Sequence, residues 1–569
     1  MTDLKSKVEK VPKKYKEMGG RWLTSSIIND EVDPTCHPLG PNNKLVFAPG
    51  FVTGTRAPSS GRLSVGGKSP LTGGIKEANA GTPFSQMLAR LDIKALIIEG
   101  KPKDDKFWVI KINKDGVNFE KADAYLGKGL YEAYPLAFDK YGKKVGIAGI
   151  GVSGEMKMTN AGVCFNDIDN RPSRYAGRGG LGAVMGSKGV KYIILDDNGT
   201  QPVKVQDNEM FNEGRKTLTN ALLTNDGTKP GGMLNALGTA ALVNVINEAG
   251  GLPTRNFSEG RFEGAAKISG EAIAEAVKTR GGAGRTGHPC HPGCVIGCSN
   301  VYPKKDGTEH VSCIEYESTW AFGANCGIDN LDEIAEMIWQ CNDYGIDTIE
   351  AGGAIAVAME GGLASFGDGK KAIELMKEIK KGSVLGRALG CGAETIGKVL
   401  GVSRVPSVKG QNMLAYEPRA IKGIGITYAT SPMGADHTAG YTVGAEVLGL
   451  AGPMDPLDTD KGGLAKMLQD STAFIDATGY CSFVTFATGD PDSFDALLQT
   501  VNGVLGTSWT VEDTGRIGNE IIEIERTFNK AAGFTEIDDR VPEFMKYEKL
   551  PPHNHVFDVS DDALDKVHG

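Results

Sequence analysis

The sequence predicts an α+β protein of several domains, in which a β-rich N-terminal domain is followed by two mainly α-helical domains. A chain of 569 residues exceeds what one hydrophobic core usually organises, so two or three domains are expected. Short apolar runs separated by glycine turns dominate the N-terminal third, whereas helical periodicity with charged faces begins after Asn208 and resumes beyond Ala420. We therefore predict domains over residues 1–208, 209–420 and 421–569.

Each predicted element follows from the spacing of its apolar residues. Runs rich in valine, isoleucine and aromatic residues predict strands at 44–48, 95–99, 107–110 and 192–195. Apolar residues at three- and four-residue spacing predict helices at 209–223, 236–249, 270–279, 331–344, 370–381, 458–474, 493–505 and 511–531. The tail, 538–569, is charged and interrupted by prolines.

The composition is that of a globular protein, with 40% hydrophobic and 23% charged residues. A net charge of −9 argues against a nucleic-acid partner, because binding phosphates requires a basic surface. The first residues are polar and show no secretory signal, and no apolar run is long enough to span a bilayer. We expect a cytoplasmic protein without membrane insertion, whose cysteines stay reduced unless they bind metal.

Four cysteines have the spacing of a metal centre. Cys290, Cys294 and Cys298 form a C-x3-C-x3-C run in a loop rich in proline and glycine, and Cys481 lies far downstream. Three close thiolates and one remote thiolate are typical of a cubane iron–sulfur cluster, which would make this an electron-transfer protein. Zinc more often uses two C-x2-4-C pairs or paired histidines, so zinc is a second interpretation and unligated thiols are a third.

Glycine-rich loops are the second feature. The 78 glycines are about twice the average frequency of roughly 7%, which favours close approach of the backbone to a bulky ligand. In residues 174–188 the glycines can bring backbone N–H groups to a phosphate, while arginine and lysine supply positive charge. The alternative is a tight turn between strands. Residues 58–64, 68–74 and 79–81 have the same character.

Two segments, one in each helical domain, share a frame. Residues 342–347 and 476–481 both read Asn/Asp-x-x-Gly-x-Asp/Cys, and each follows a predicted helix. Glycine in the left-handed conformation commonly ends a helix, so both copies are explained as ordinary helix ends. The second copy finishes with Cys481, the candidate remote thiolate, and this favours a shared binding role.

Taken together, these segments closely resemble the tungsten-containing aldehyde ferredoxin oxidoreductase family over nearly the whole chain. The matching segments are residues 53–55, 68–73, 176–188, 290–298, 315–317, 323–327, 342–347, 431–437 and 476–481. The resemblance implies a β-rich N-terminal domain that forms a base for pterin binding, covered by two largely helical domains. It further implies one tungsten, or less often molybdenum, held by two pyranopterins beside a 4Fe–4S cluster.

The resemblance also assigns residues to these cofactors. The implied cluster ligands are Cys290, Cys294, Cys298 and Cys481. Arg62 and Arg178 would contact the pterins, Asn79 and the backbone of Gly179 would approach the pterin phosphates and a bridging Mg²⁺, and each shared-frame segment would hold one pterin. The full set of implied cofactor-binding residues is Arg62, Asn79, Gly81, Arg178, Gly179, Gly180, Gly182, Asn342, Gly345, Asp347, Asp476 and Gly479.

Three features depart from the family pattern. The family commonly has C-x2-C-x3-C, so one extra residue lies in the first interval here, and His288 or His291 is an alternative ligand to Cys290. Some members bind an intersubunit iron through Glu-x-x-His, but the matching motif at Glu336 lacks the histidine, so we expect no such metal. Asn342 stands where some relatives have aspartate, and its amide can still hydrogen-bond a pterin edge.

Glu317 and His437 are the implied catalytic residues, because they match positions near the metal in the family. Glu317 would activate water or relay a proton if burial raises its pKa towards neutrality. His437 would protonate or polarise the carbonyl oxygen. An ion-paired helix carboxylate and a structural histidine are the alternatives. Glu315, Tyr316 and Asp436 are the expected supporting neighbours.

The expected activity is oxidation of an aldehyde with water to a carboxylic acid, with electrons leaving through the cluster to ferredoxin or an iron–sulfur subunit. With a donor of sufficiently low potential the same enzyme would reduce the acid. An aromatic acyl-CoA ring reductase subunit on the same cofactor is the second hypothesis, and a cluster-only electron-transfer subunit is the third. An anaerobic setting and a homo- or hetero-oligomer are compatible with this function.

Overall fold

The N-terminal part of this computed structural model, which describes residues 4–450 and 452–569, begins with a four-stranded antiparallel sheet. Its strands are β1 (Leu45–Pro49), β2 (Arg62–Lys68), β3 (Ile75–Gly81) and β4 (Leu96–Ile98). The spatial order is β3-β2-β1-β4. Strand β1 is buried along its whole length, because alternate side chains enter hydrophobic clusters on opposite faces of the sheet.

A six-stranded mixed sheet completes the β-rich part. Its strands are β5 (Trp108–Asn113), β6 (Gly116–Lys121), β7 (Gly146–Gly149), β8 (Val163–Asn166), β9 (Pro172–Ala176) and β10 (Val190–Asp196). The order is β6-β5-β10-β7-β8-β9, with β5 and β10 parallel and the other neighbours antiparallel. In β10, Ile193 and Leu195 enter one core while Tyr192 and Ile194 enter another, as the two-residue period of a strand requires.

Five helices accompany these two sheets. They are α1 (Gly20–Glu31), α2 (Pro83–Arg90), α3 (Leu130–Tyr141), α4 (Val152–Glu155) and α5 (Leu181–Ser187). Helix α2 begins at Pro83, because the Thr82 hydroxyl oxygen accepts a hydrogen bond from the Phe84 N–H and proline is favoured in the first turn. This helix start follows directly on the end of β3, the strand that carries Asn79 and Gly81.

The middle part of the chain is mainly helical. Its helices are α6 (Asn208–Thr224), α7 (Met233–Leu237), α8 (Leu242–Glu248), α9 (Gly270–Arg280), α10 (Tyr316–Phe322), α11 (Leu331–Tyr344), α12 (Thr348–Glu360), α13 (Gly369–Lys381), α14 (Val384–Gly390) and α15 (Ala393–Leu400). A three-stranded sheet of β11 (Arg285–His288), β12 (Ser299–Pro303) and β13 (Glu309–Ser312) lies between α9 and α10. A two-stranded ribbon of β14 (Ser407–Val408) and β15 (Gln411–Asn412) closes this part.

The C-terminal part is again helical. Its helices are α16 (Lys422–Thr430), α17 (Val443–Glu446), α18 (Gly462–Thr478), α19 (Pro491–Leu505), α20 (Val511–Ala531) and α21 (Asp561–Asp565). Helices α18 and α20 pack on each other and on α1. Arg21 of α1 donates to both carboxylate oxygens of Glu525 in α20, at 2.9 and 2.8 Å, so the first and third parts share a buried ion pair.

The α+β class, with a β-rich part followed by helical parts, is confirmed, and all four predicted strands are present. The predicted helix at 236–249 is wrong as one element, because Gly238 has φ of 70° and separates α7 from a short turn and α8. The predicted helix at 458–474 begins and ends four residues later, as α18. Residues 174–188 are neither a pure loop nor a simple turn, since they end in α5.

Among the described helices, none combines the length and the apolar character needed to cross a membrane.

Candidate active site and metal centre

The four candidate cluster cysteines come together from two distant segments. Cys290, Cys294 and Cys298 lie on the connection between β11 and β12, and Cys481 follows the end of α18. The thiols of Cys290 and Cys294 are within 4.8 Å of each other. The pKa of Cys298 is raised mainly by burial, and also by Glu315 and the other three thiols, which places all four in one electrostatic environment. All ten cysteines of the chain are free thiols.

Ser59 joins the two cysteine segments. Its N–H donates to the Gly293 carbonyl oxygen at 2.9 Å, and its own carbonyl accepts from the Cys481 N–H at 2.9 Å. Its hydroxyl oxygen also accepts from the Val295 N–H at 3.3 Å. Ser59 is fully buried and has φ of 53°, so these three contacts hold an uncommon backbone conformation. Sequence reasoning gave Ser59 no such role, because the contacts are nonlocal.

The two histidines beside the cysteine run are already engaged elsewhere. His291 donates from Nδ1 to the Pro292 carbonyl at 2.9 Å and accepts at Nε2 from the Gly61 N–H at 3.2 Å. His288 accepts at Nδ1 from Arg174 at 2.8 Å, so its Nε2 donates to Asp169 at 3.0 Å. Although a ring nitrogen of His291 lies near two thiols, both histidines have their nitrogens committed, which favours Cys290 as the ligand.

A cavity of about 230 Å³ lies beside this cysteine centre. Five of the residues expected to bind the pterins line it: Arg62, Asn79, Gly81, Asn342 and Asp347. The cavity wall also contains charged and sulfur-containing side chains, namely Cys290, Arg174, Glu315 and Cys313. The structure therefore brings one cluster cysteine and residues from both of the first two parts of the chain to a single interior space.

Arg62 connects the cavity with the cysteine centre. Its guanidinium donates to the Asn79 side-chain oxygen, and its backbone N–H donates to the Gly479 carbonyl at 3.2 Å. A Cβ at Gly81 would lie 2.9 Å from the Cys290 sulfur, so that glycine lets strand β3 approach the thiol. Burial lowers the pKa of Arg62, but Cys481, Cys290 and other anionic groups outweigh it, so the guanidinium remains charged.

Arg178 holds the glycine-rich loop against the two helical parts. Its Nε donates to Asp347 at 3.1 Å, and its two terminal nitrogens donate to the carbonyls of Ala435 at 2.7 Å and Asn412 at 2.6 Å. Asp347 also caps α12 by accepting from the Ile349 N–H at 3.0 Å. Arg178 thus hydrogen-bonds both to Asp347, which lines the cavity, and to the backbone of Ala435, two residues before His437.

The glycines of this loop pack closely against other residues of the protein. Gly179 and Gly180 have φ of 80° and 76°. A Cβ would lie 2.4 Å from the Lys76 side chain at Gly179, 2.3 Å from a backbone oxygen at Gly180, and 2.2 Å from the Gly162 carbonyl oxygen at Gly182. Internal packing therefore accounts for these three glycines, and a contact between Gly182 and a ligand stays a prediction.

Both shared-frame segments end helices, as expected. Gly345 and Gly479 are the residues after α11 and α18 and adopt φ of 79° and 89°. The polar residues of the frames differ in their contacts. Asn342 donates to the Ser312 carbonyl at 3.3 Å, whereas Asp476 accepts from Arg21 at 3.3 Å. The sequence shows the frames, but not these partners.

Glu317 and His437 face each other in the interior. His437 Nδ1 is 3.5 Å from Glu317 Oε1, and neither atom has a hydrogen-bond partner among the described residues. The other oxygen of Glu317 accepts from the Ala415 N–H at 3.0 Å. Burial raises the pKa of Glu317 to about 8 and lowers the pKa of His437 to about 4. Near neutral pH the carboxyl group titrates and the imidazole is neutral.

Tyrosines enclose this pair. The rings of Tyr416 and Tyr441 lie 5.6 and 6.0 Å from the His437 ring, and their hydroxyls are 3.1 Å apart. Tyr316 donates to the Ala415 carbonyl at 2.8 Å, so it supports the same backbone that holds Glu317. Sequence reasoning missed Tyr416 and Tyr441.

The other expected neighbours also lie here. Glu315 accepts from the Thr239 hydroxyl at 2.8 Å and lines the cavity. Asp436 lies 3.7 Å from the Lys76 ammonium and 4.0 Å from Arg178. Burial tends to raise the pKa of Asp436, but these two cations lower it well below the ordinary value, so Asp436 is ionised. Lys76, like Tyr416, gave no signal in the sequence.

The fold and this interior are those of a pterin-dependent oxidoreductase class, and the chain belongs to the aldehyde ferredoxin oxidoreductase family. The family model "Aldehyde ferredoxin oxidoreductase, N-terminal domain" matches residues 1–197. The model "Aldehyde ferredoxin oxidoreductase, domains 2 & 3" matches residues 214–567.

Curated relatives agree with this assignment. The chain is 37% identical over 564 residues to the tungsten-containing aldehyde ferredoxin oxidoreductase of Pyrococcus furiosus, covering 95% of this chain and 89% of that protein. It is 38% identical over 566 residues to the Pyrococcus horikoshii protein of the same name, with the same coverage.

A solved structure shares the fold. It is described as "Active site complex BamBC of Benzoyl Coenzyme A reductase in complex with 1,5 Dienoyl-CoA", and it superposes with a TM-score of 0.77. The sequence identity is 18%, and the match covers 98% of this chain and 90% of that chain. This likeness concerns the fold alone.

Proposed function

We propose that this protein oxidises an aldehyde with water to a carboxylic acid at a tungsten (or molybdenum) bis-pyranopterin, with electrons leaving through a 4Fe–4S cluster. The observation that carries the proposal is the pair of Glu317 and His437, whose facing atoms are buried and lie 3.5 Å apart without hydrogen-bond partners among the described residues. Buried polar atoms are normally paired, so two facing orphans indicate groups that act on a bound molecule. Aldehyde oxidation is also the activity named for the 37–38% identical relatives.

The residues of the interior fit these cofactors. Four thiols in one environment supply the donor set of a 4Fe–4S cluster, and the proposed ligands are Cys290, Cys294, Cys298 and Cys481. The charged cavity wall beside them, with Arg62 and Asn79, suits a phosphate-bearing pterin. The side chain of Asn79 and the backbone of the Gly179 loop would approach the phosphates and Mg²⁺.

The chain's own contribution is positioning and proton transfer. When bound, the metal would supply the two-electron redox chemistry that aldehyde oxidation requires, and the cluster would supply one-electron transfer. Glu317 in its ionised form accepts a proton from the water that supplies the second oxygen of the acid. His437 is neutral above about pH 4, so its imidazole polarises the carbonyl oxygen through a hydrogen bond and does not protonate it from a charged form. We therefore propose polarisation of the carbonyl oxygen, and not its protonation, as the role of His437.

Electron delivery to ferredoxin, or to an associated iron–sulfur subunit, is part of the proposal. Pro292 and Gly293, between the first two cluster cysteines, are exposed to solvent. The cysteine centre therefore approaches the surface at this loop, which gives electrons a short exit path. All ten cysteines are free, which supports a reducing, cytoplasmic location.

A viologen-linked assay under anaerobic conditions tests the activity. We expect the purified protein to reduce viologen with members of an aldehyde panel, and the Glu317→Gln variant, loaded with the same metals, to be at least about 100-fold slower. Reduction of an aromatic acyl-CoA without aldehyde oxidation would instead support the second hypothesis. A protein with iron but neither activity would support the cluster-only subunit.

A further inference from the structure

Glu77 is a buried acid that the mechanism above does not use. It lies on β3, two residues before Asn79, so the two side chains leave the strand on the same face. Glu77 is 7% exposed, and its Oε1 atom has no hydrogen-bond partner among the described residues. A buried carboxylate oxygen without a donor is costly, and therefore requires an explanation.

The cations near Glu77 are bound to other acids. Arg21 donates to both oxygens of Glu525 at 2.9 and 2.8 Å and to Asp476 at 3.3 Å. The Lys76 ammonium lies 3.7 Å from Asp436. Among the described residues, Glu77 thus has no ion pair of its own. Burial and the neighbouring Asp476 raise the pKa of Glu77 to about 8, although the nearby Arg21, Ser64 and Lys76 act to lower it.

Asp476 is a second acid near Glu77. It belongs to the second shared-frame segment, the one proposed to hold a pterin, and its pKa is raised to about 6, chiefly by burial. A buried acid, Glu77, and a half-buried acid, Asp476, from different parts of the chain are therefore electrostatic neighbours, and they make no hydrogen bond to each other within 3.5 Å. Neighbouring acids that are largely removed from water are stabilised by a ligand that offers several N–H donors.

We propose that Glu77 is a further pterin-binding residue, whose carboxylate accepts hydrogen bonds from the N–H donors of the same pterin as Asp476. The aminopyrimidinone edge of a pterin presents an amino group next to a ring N–H, and a carboxylate accepts two such parallel donors. This inference rests on the proposed function, since it requires that the protein binds pterin.

The test compares Glu77→Met and Glu77→Gln with wild type and with Glu446→Gln. Glu446 is a matched control, because it is buried and has an unpaired Oε2, but its other oxygen is bound by Lys461 at 2.7 Å and by the Gly423 N–H at 2.9 Å. Full-length proteins are purified anaerobically and dialysed for a long period. Pterin, tungsten and iron per chain are then measured, together with the unfolding temperature of cofactor-free protein from tungsten-depleted cells.

Both Glu77 variants should lose pterin and tungsten about 10-fold faster than wild type, the scale of one charge-assisted hydrogen bond, while keeping their iron. Cofactor-free Glu77→Met should unfold at a higher temperature than cofactor-free wild type, because an unpaired buried acid has been removed. Glu446→Gln should retain pterin as wild type does.

Wild-type pterin retention in both Glu77 variants would overturn the inference. A lower unfolding temperature of cofactor-free Glu77→Met would also overturn it, by showing that Glu77 acts as a structural partner. A wild-type protein that contains no pterin would overturn the proposed function and this inference together, whereas failure confined to the Glu77 variants leaves the proposed function intact.

Discussion

Burial changes the acidities of Glu317 and His437 in opposite directions. It disfavours the charged form of each group, so the pKa of the acid rises to about 8 and the pKa of the imidazole falls to about 4. The group that titrates near neutral pH is therefore Glu317. A base of this pKa is well matched to catalysis near neutrality.

Replacing Glu317 by glutamine should reduce kcat by about 10²–10⁴-fold, because the shape is kept while the base is lost. In wild type, kcat should rise with pH as the carboxyl group ionises through about pH 8, and the variant should lack this rise. Steady-state rates across pH with a viologen acceptor provide the measurement. Glu446→Gln serves as the control, since it changes a buried acid outside the site.

His437→Asn should also slow turnover, but its pH profile should retain the rise near pH 8, because the imidazole is already neutral there. Metal and pterin contents should match those of wild type. If the rise disappeared in the His437 variant while Glu317→Gln retained it, the titrating group would be the histidine and the assignment would be reversed.

At the scale of elements, sequence patterns located most of the structure. Helix α11 has the predicted bounds, because Asn330 caps its start and Gly345 ends it in the left-handed conformation. The predicted helix at 236–249 failed because periodicity does not reveal that Gly238 adopts a positive φ. We propose domain limits near 208 and 420, because the first falls between strand β10 and helix α6 and the second between the β14–β15 ribbon and helix α16.

Some residues of the candidate site could be predicted from the sequence, and others could not. The thiols, Glu317 and His437 were found because the cysteine run and the family motifs are visible along the chain. Glu77, Lys76 and Ser59 were not, because their partners are distant in sequence. The Arg21–Glu525 pair beside Glu77, for example, joins residues 504 positions apart. No local pattern encodes such a contact.

The packing of α5 gives a prediction for Gly182. A Cβ there would lie 2.2 Å from the Gly162 carbonyl oxygen, so Gly182→Val should destabilise even the cofactor-free protein, by about 1–3 kcal/mol. Denaturant unfolding of the cofactor-free variant measures this. Gly463→Val is the control, since a Cβ there has no atom within 4 Å. An unchanged cofactor-free stability with lost cofactor would instead show that Gly182 faces the ligand.

At the scale of the whole molecule, the three parts converge on one charged interior. In the first part, the Val52 N–H donates a hydrogen bond to the Thr478 carbonyl at the end of α18. Ser59 of the same segment hydrogen-bonds to both cysteine segments. Arg178 of the same part binds the backbone of the other two. Buried or half-buried ionisable groups, among them Arg62, Glu77 and Asp476, lie around this convergence, so bound cofactors should stabilise the assembled fold.

Elemental and pterin analysis of the anaerobically purified protein is the decisive test of the proposed cofactors. We expect about four irons, one tungsten or molybdenum and two pterins per chain, and we expect Cys294→Ser to lose most of its iron. Stoichiometric zinc in place of iron, with no pterin, would contradict both the cluster and the aldehyde oxidoreductase function.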